Sequence, residues 1–114
     1  MQSKKQLNFI NLLPIISGLN IALYELAFRY ENGFGIDENK FKAFELYKKS
    51  AENGFIPSQY ELANCYKYGK GIEENKINAL NWFKLYQKND GNLDVSYDIN
   101  YFEKESVKIL LFFF

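Results

Sequence analysis

The 114-residue chain has no histidine and one cysteine, Cys65. Those absences exclude an intramolecular disulfide and a metal centre of thiolates and imidazoles, and they leave Cys65 without an imidazole to activate it. A small apolar place in the core is its default role. Charge of one sign is lacking too, because 14 Lys and Arg stand against 14 Asp and Glu. With no basic excess to neutralise phosphates, the composition argues against nucleic acid or an anionic lipid surface as partner. Long apolar runs are also missing. Asn8, Asn11, Pro14 and Asn20 interrupt the segment that follows Lys4 and Lys5, whereas a bilayer span takes about 20 consecutive apolar residues. That segment makes only a weak secretory signal, with no convincing small-residue cleavage site behind it. The expectation is a cytoplasmic protein, with the secretory pathway as the alternative.

What is present is an echo. YELAFRYENGFGIDENKFKAF from Tyr24 returns as YELANCYKYGKGIEENKINAL from Tyr60, and fourteen of the 33 positions from Ala22 to Gly54 are identical to the residue 36 further on. A fixed period of this size marks a unit that cannot bury its own apolar face and stacks on a copy of itself. Ala22, Leu26, Ala27 and Tyr30 recur at helical spacing, as do Ser58, Leu62, Ala63 and Tyr66. Gly33 and Gly35, with Gly69 and Gly71, then mark a chain reversal. Asn39 and Asn75 can cap the free amides that open the next helix, which runs through Phe41, Ala43, Phe44 and Tyr47 or Ile77, Ala79, Leu80 and Phe83. Pro57 can begin the helix after Gly54. The fold class is therefore all-α, a short α/α solenoid of helix-turn-helix repeats of 36 residues. Its parts are an N-terminal covering segment (1–21), repeats at 22–57 and 58–91, and a degenerate third repeat or C-terminal cap (92–114). VKILLFFF at Val107–Phe114 is expected to lie buried on the last repeat or, if exposed, to promote aggregation. Stacked repeats usually need about three units, so a partner, self-association or a longer parent chain is expected.

The pattern resembles the Sel1-like repeat, a relative of the tetratricopeptide repeat. Ala22, Leu26, Ala27, Tyr30, Gly33, Gly35, Ile36, Lys42, Ala43, Leu46, Tyr47 and the closing Lys49, Ser50, Ala51, Glu52 and Gly54 hold that family's places. The second copy departs at the close, where Tyr86, Gln87, Lys88, Asn89 and Asp90 replace Ala-Ala-Glu-x-Gly, and the regular stacking is expected to end there. Asn39 and Asn75 stand where the family commonly has Asp, and the cysteine pair of some bacterial members is absent. The resemblance covers Ala22 to about Asn89 and implies a solenoid whose concave face holds a protein or peptide partner.

Catalytic readings find little support. The glycine pairs around Lys70 lack the four-residue spacing and the following Gly-Lys-hydroxyl of a phosphate loop. Glu25 with Glu61 and Glu38 with Glu74 are repeat equivalents, which points to packing or surface roles rather than an acid and base pair. No catalytic residue, cofactor or metal ligand is assigned. Specificity in a solenoid lives mostly where the copies differ, as at Phe28, Arg29, Asn64 and Tyr68 on the first helix of each repeat; with Tyr24 and Tyr60, placed on or near the concave side, these are the candidate partner-binding residues. A non-enzymatic interaction module is the first expectation. A fragment of a longer repeat-containing signalling protein, for example repeats attached to a kinase domain, is the second.

Overall fold

The computed structural model describes residues 4–113, with side chains from residue 17 onward. Residues 1–3 of the expected covering segment, and Phe114, lie outside the described residues. Five helices follow in chain order, α1 (Lys4–Asn32), α2 (Lys40–Glu52), α3 (Ile56–Tyr68), α4 (Lys76–Lys88) and α5 (Ser96–Phe113), with no strand among the described residues. Each packs chiefly on its neighbours in the chain, the one-dimensional arrangement of a solenoid.

The two turns are built alike from local chemistry. Gly33 and Gly69 adopt left-handed backbone, with φ of 69° and 68°, and close their helices by donating the next residue's N–H to a carbonyl five residues back. These bonds are Phe34 N to Arg29 O (3.0 Å) and Lys70 N to Cys65 O (2.9 Å), the Schellman arrangement that glycine favours. The Tyr30 and Tyr66 carbonyls then accept from the N–H of Asn39 and Asn75 at 2.8 and 2.9 Å. In turn the Asn39 and Asn75 side chains accept from Lys42 N and Asn78 N, each at 2.9 Å. The expected caps of α2 and α4 are therefore formed, each contributing about 1 kcal/mol.

The core lies between the helices. Ala43 and Ala79 are buried where helices press together, beside Phe44, Tyr47, Leu80 and Phe83. Two serines, each at a position the repeat pattern marks, seal the α2–α3 contact: buried Ser58 donates to buried Ser50 at 2.7 Å, and Ser50 donates to the Asn20 carbonyl at 3.1 Å. Both hydroxyls are thereby satisfied, as buried polar groups must be.

At the N-terminal end the structure corrects the expectation. Residues 4–21 do not fold back as a separate covering helix; although Gly18 and Asn20 stand just before the first repeat, Gly18 does not enter the left-handed backbone that Gly33 adopts, and the segment extends α1 into one helix of 29 residues. Over its second half, from Ser17 onward, the outer face of α1 is open. Leu26 is 39% exposed while its repeat equivalent Leu62 is 0% exposed beneath α2, and Ala22 is exposed where Ser58 is buried.

At the other end α5 takes the place of a third repeat's first helix and packs on α4 through Val95, Ile99 and Phe102. Helical stacking thus continues one helix past the irregular close of the second repeat. Of the expected buried cap, Val107 and Leu110–Phe113 are exposed, Phe112 by 85%. The reason is length: α5 has 18 residues and α4 has 13, so at about 1.5 Å per residue the last turn of α5 overhangs its support.

Candidate functional site

Tyr24 on α1 and Tyr60 on α3 are repeat equivalents, and both are half-buried. Tyr24 packs its ring against Tyr47 at 5.8 Å and Phe55 at 5.6 Å; Tyr60 packs against Phe83 at 6.2 Å and Tyr86 at 5.4 Å. Edge and tilted contacts of this kind hold each ring in place. Tyr24 is shared by two adjoining hollows. One, of about 500 Å³, is lined by Tyr24, Glu25, Phe28, Arg29, Phe34 and Gly35. The other, of about 490 Å³, lies between Tyr24, the start of α3, and the α4–α5 connection, with Tyr60, Glu61, Tyr86, Asp90 and Leu93 in its wall. Phe28 is exposed and meets Phe34 in a tilted ring contact at 5.6 Å.

Of the six residues selected from sequence, Tyr24, Phe28, Arg29 and Tyr60 come together on these two hollows. Asn64 is half-buried and lines neither. Tyr68 lies about 12 Å further along α3 than Tyr60 by helix rise and lines a separate hollow of about 280 Å³ with Lys67, Asp98 and Tyr101. There Lys67 and Asp98 form a 2.6 Å ion pair that ties α3 to α5. The lining residues that sequence reasoning did not select include Glu61, Tyr86, Asp90 and Leu93. A signal for Tyr86 existed, since it replaces the Ser50 of the first copy.

Charge beside the hollows is arranged around Glu31 near the end of α1. Tyr47 Oη donates to Glu31 Oε2 at 2.8 Å, and Lys70 Nζ donates to Oε1 at 3.2 Å. Lys70, the residue inside the second glycine pair, is thus an ion-pair partner. Glu61 has no hydrogen bond or ion pair from another side chain among the described residues. Burial raises its pKa above the ordinary carboxylate value, the charge of Glu31 raises it further, and Lys70 opposes both. Tyr24 is pushed up by burial and then by Glu61 and Glu31. The Cys65 thiol is pushed up to about 12, chiefly by burial, so it stays protonated and unreactive at neutral pH.

The Glu61 shift carries a stability consequence. A carboxylate whose folded pKa lies above its unfolded value of about 4.3 opposes folding once ionised, and the penalty disappears where both states are protonated. Glu61→Gln is therefore expected to raise the urea midpoint at neutral pH, with the gain fading below the ordinary carboxylate range. A loss of stability at neutral pH would show instead that Glu61 is ionised and partnered.

Among the described residues no group of three or more metal-binding side chains is assembled, and no helix is long and apolar enough to cross a membrane. The repeat-equivalent Glu25 and Glu61 line different hollows.

The comparisons with known proteins agree with this architecture. The Sel1 repeat family model matches residues 20–55 and 56–85. The solved structures include a Sel1 repeat protein from Oxalobacter formigenes, 32% identical, with a TM-score of 0.61 over 63% of this chain and 29% of that one. They also include c5321, a protective antigen present in uropathogenic Escherichia coli strains and displaying an SLR fold, 33% identical, with a TM-score of 0.60 over 63% of this chain and 15% of that one. The match thus spans less than a third of either protein's length. No curated protein matches. With two matched repeats covering more than half its length and the same helical stacking in solved relatives, the chain belongs to the Sel1 repeat family.

Proposed function

We propose that this chain is a non-enzymatic docking module that holds an extended segment or helix of a partner protein along the face carried by α1 and α3. Sel1 repeats are generally protein-interaction modules. The observation that carries the reading is the pair of adjoining hollows that share Tyr24 and together run from Phe28 and Phe34 to Tyr60 and Tyr86. Fixed aromatic rings offer a partner large contact area with little ordering entropy, and apolar positions at alternating or helical spacing can engage such a groove.

The test uses the whole chain as bait for a displayed library of random peptides about 12 residues long, enough to span a groove of this kind. Phe28→Glu changes an exposed ring and so leaves helicity intact. It is expected to weaken the selected peptides by about tenfold or more, as removal of an interface anchor does. Peptides that bind Phe28→Glu as well as the parent, or no selectable peptide at all, would overturn the reading.

A further inference from the structure

The second hollow has a chemistry of its own. Three tyrosines, Tyr24, Tyr60 and Tyr86, share its wall with two carboxylates, Glu61 and Asp90, and no lysine or arginine lines it. Its volume of about 490 Å³ falls within the range of ordinary ligand pockets.

The wall is held by the fold. Tyr86 is almost fully buried and packs on Tyr60 at 5.4 Å. Its hydroxyl accepts from Leu93 N at 2.8 Å, and its backbone carbonyl accepts from Gly91 N at 3.0 Å. Gly91 lies so close that a Cβ there would overlap the Tyr86 ring. The α4–α5 connection that carries Asp90 is thus anchored to the tyrosine that lines the hollow, and little reorganisation is needed before a ligand enters.

The charge in the hollow is not balanced from within the chain. Lys70, the cation nearest Glu61 in electrostatic effect, is already hydrogen-bonded to Glu31. Glu61 is half-buried without a side-chain partner, an arrangement that costs stability unless something supplies a positive charge. Asp90, which is exposed, lines the same wall with its own backbone at φ 60°. Aromatic faces next to carboxylates favour one class of ligand, a cation with an apolar or planar body, through combined cation–π and ionic attraction.

We propose that this hollow receives one cationic side chain, lysine or arginine, of the docked peptide. Its charge faces Glu61 and Asp90, and its stem or guanidinium plane lies against Tyr24, Tyr60 and Tyr86. The assignment rests on the docking reading above and gives that reading a partner chemistry, a segment with a basic anchor residue.

The experiment sequences the peptides selected on the whole chain and measures the best of them by fluorescence anisotropy. Each is compared with a version in which arginine is replaced by citrulline, or lysine by its acetylated form. Basic residues are expected at one fixed position, and neutralising that residue is expected to weaken binding by about tenfold or more. Glu61→Gln and Asp90→Asn are each expected to weaken the basic peptides severalfold while leaving helicity unchanged. Asparagine tolerates the left-handed backbone at position 90, so that variant keeps the loop if Glu61→Gln should disturb packing. In either variant the neutralised peptide should lose less than it does with the parent, the coupling that marks a direct pair. Peptides that need Phe28 but carry no basic residue, or whose basic residue matters equally in the parent and both variants, overturn the assignment and leave the docking face standing. If no peptide depends on Phe28, the docking reading falls and the assignment with it.

Discussion

Replacing Gly71 with alanine is expected to destabilise the protein by more than about 3 kcal/mol, while the same change at its repeat equivalent Gly35 destabilises it by about 1–2 kcal/mol. The two glycines share a left-handed backbone, with φ of 71° and 75°, so both variants carry the strain of placing an L-residue there. Their surroundings differ. A Cβ on Gly35 meets nothing closer than the Arg29 Nη1 atom at 3.8 Å, whereas on Gly71 it would collide with the Lys40 carbonyl and stand 2.7 Å from Phe41 N. The turn between α3 and α4 therefore rests directly on the first residues of α2, backbone against backbone, and neither side can yield by changing a rotamer. Overpacking of this kind typically adds about 1–3 kcal/mol to the backbone strain. Urea denaturation followed by circular dichroism measures both variants. Equal losses would show that the close approach between successive repeats is absent and that φ alone decides.

That contrast also shows what the sequence could and could not disclose. The turns were legible because their chemistry is local: a glycine that must go left-handed and an asparagine three residues ahead of an amide it caps are recognisable wherever they stand. Gly35 and Gly71 are identical as letters, and so are Leu26 and Leu62, yet in each pair only the second member meets another repeat. Burial in a solenoid is decided by position in the stack, which the repeat pattern does not number. Segment 1–21 reads from sequence as a covering segment for the open end of the stack. Gly18 and Asn20 stand there, but Gly18 does not take the left-handed backbone that ends α1 at Gly33, and the segment extends α1 instead.

The candidate site divides in the same way. Phe28 and Arg29 were recognisable as places where the copies differ, whereas Tyr24 and Tyr60 are identical copies that no such difference marks. Tyr68 lies apart from the other four because two helical turns carry it to the end of α3 that Lys67 ties to α5. Glu61 looked like ordinary repeat surface, since Glu25 is its copy. Only the α4–α5 connection, whose path depends on the docking of α5, turns the second copy's glutamate into part of a wall. Tyr86 belongs to the irregular close of the second repeat. There the substitution of tyrosine for Ser50 removes a small contact and supplies a ring that organises the following loop.

Phe83→Ala is expected to be the other severe substitution, costing about 3–5 kcal/mol. Phe83 is completely buried, and it joins three helices: its ring meets Tyr60 of α3 edge-on at 6.2 Å and lies nearly parallel to Phe102 of α5 at 6.3 Å. In a globular core the resulting cavity would be felt throughout. In a stack where each helix leans chiefly on its neighbours, the loss concentrates at one junction. The α5 helix has the most to lose, because among its residues only Ile99 and Phe102 are buried and its far end already overhangs. Hydrogen exchange is therefore expected to quicken first across Ser96–Phe113 and the end of α4, while α2 and the α1–α2 contact keep their protection under conditions where the variant remains mostly folded. Trp82, half-buried beside Phe83, reports the same event as a fluorescence change at lower urea than the loss of total helicity. Uniform exchange across all five helices, with fluorescence and helicity changing together, would show a single cooperative unit instead. Because Tyr60 packs on both Phe83 and Tyr86, the same cavity frees two of the three rings in the second hollow. Peptides anchored there should weaken by more than those that depend on Phe28 alone.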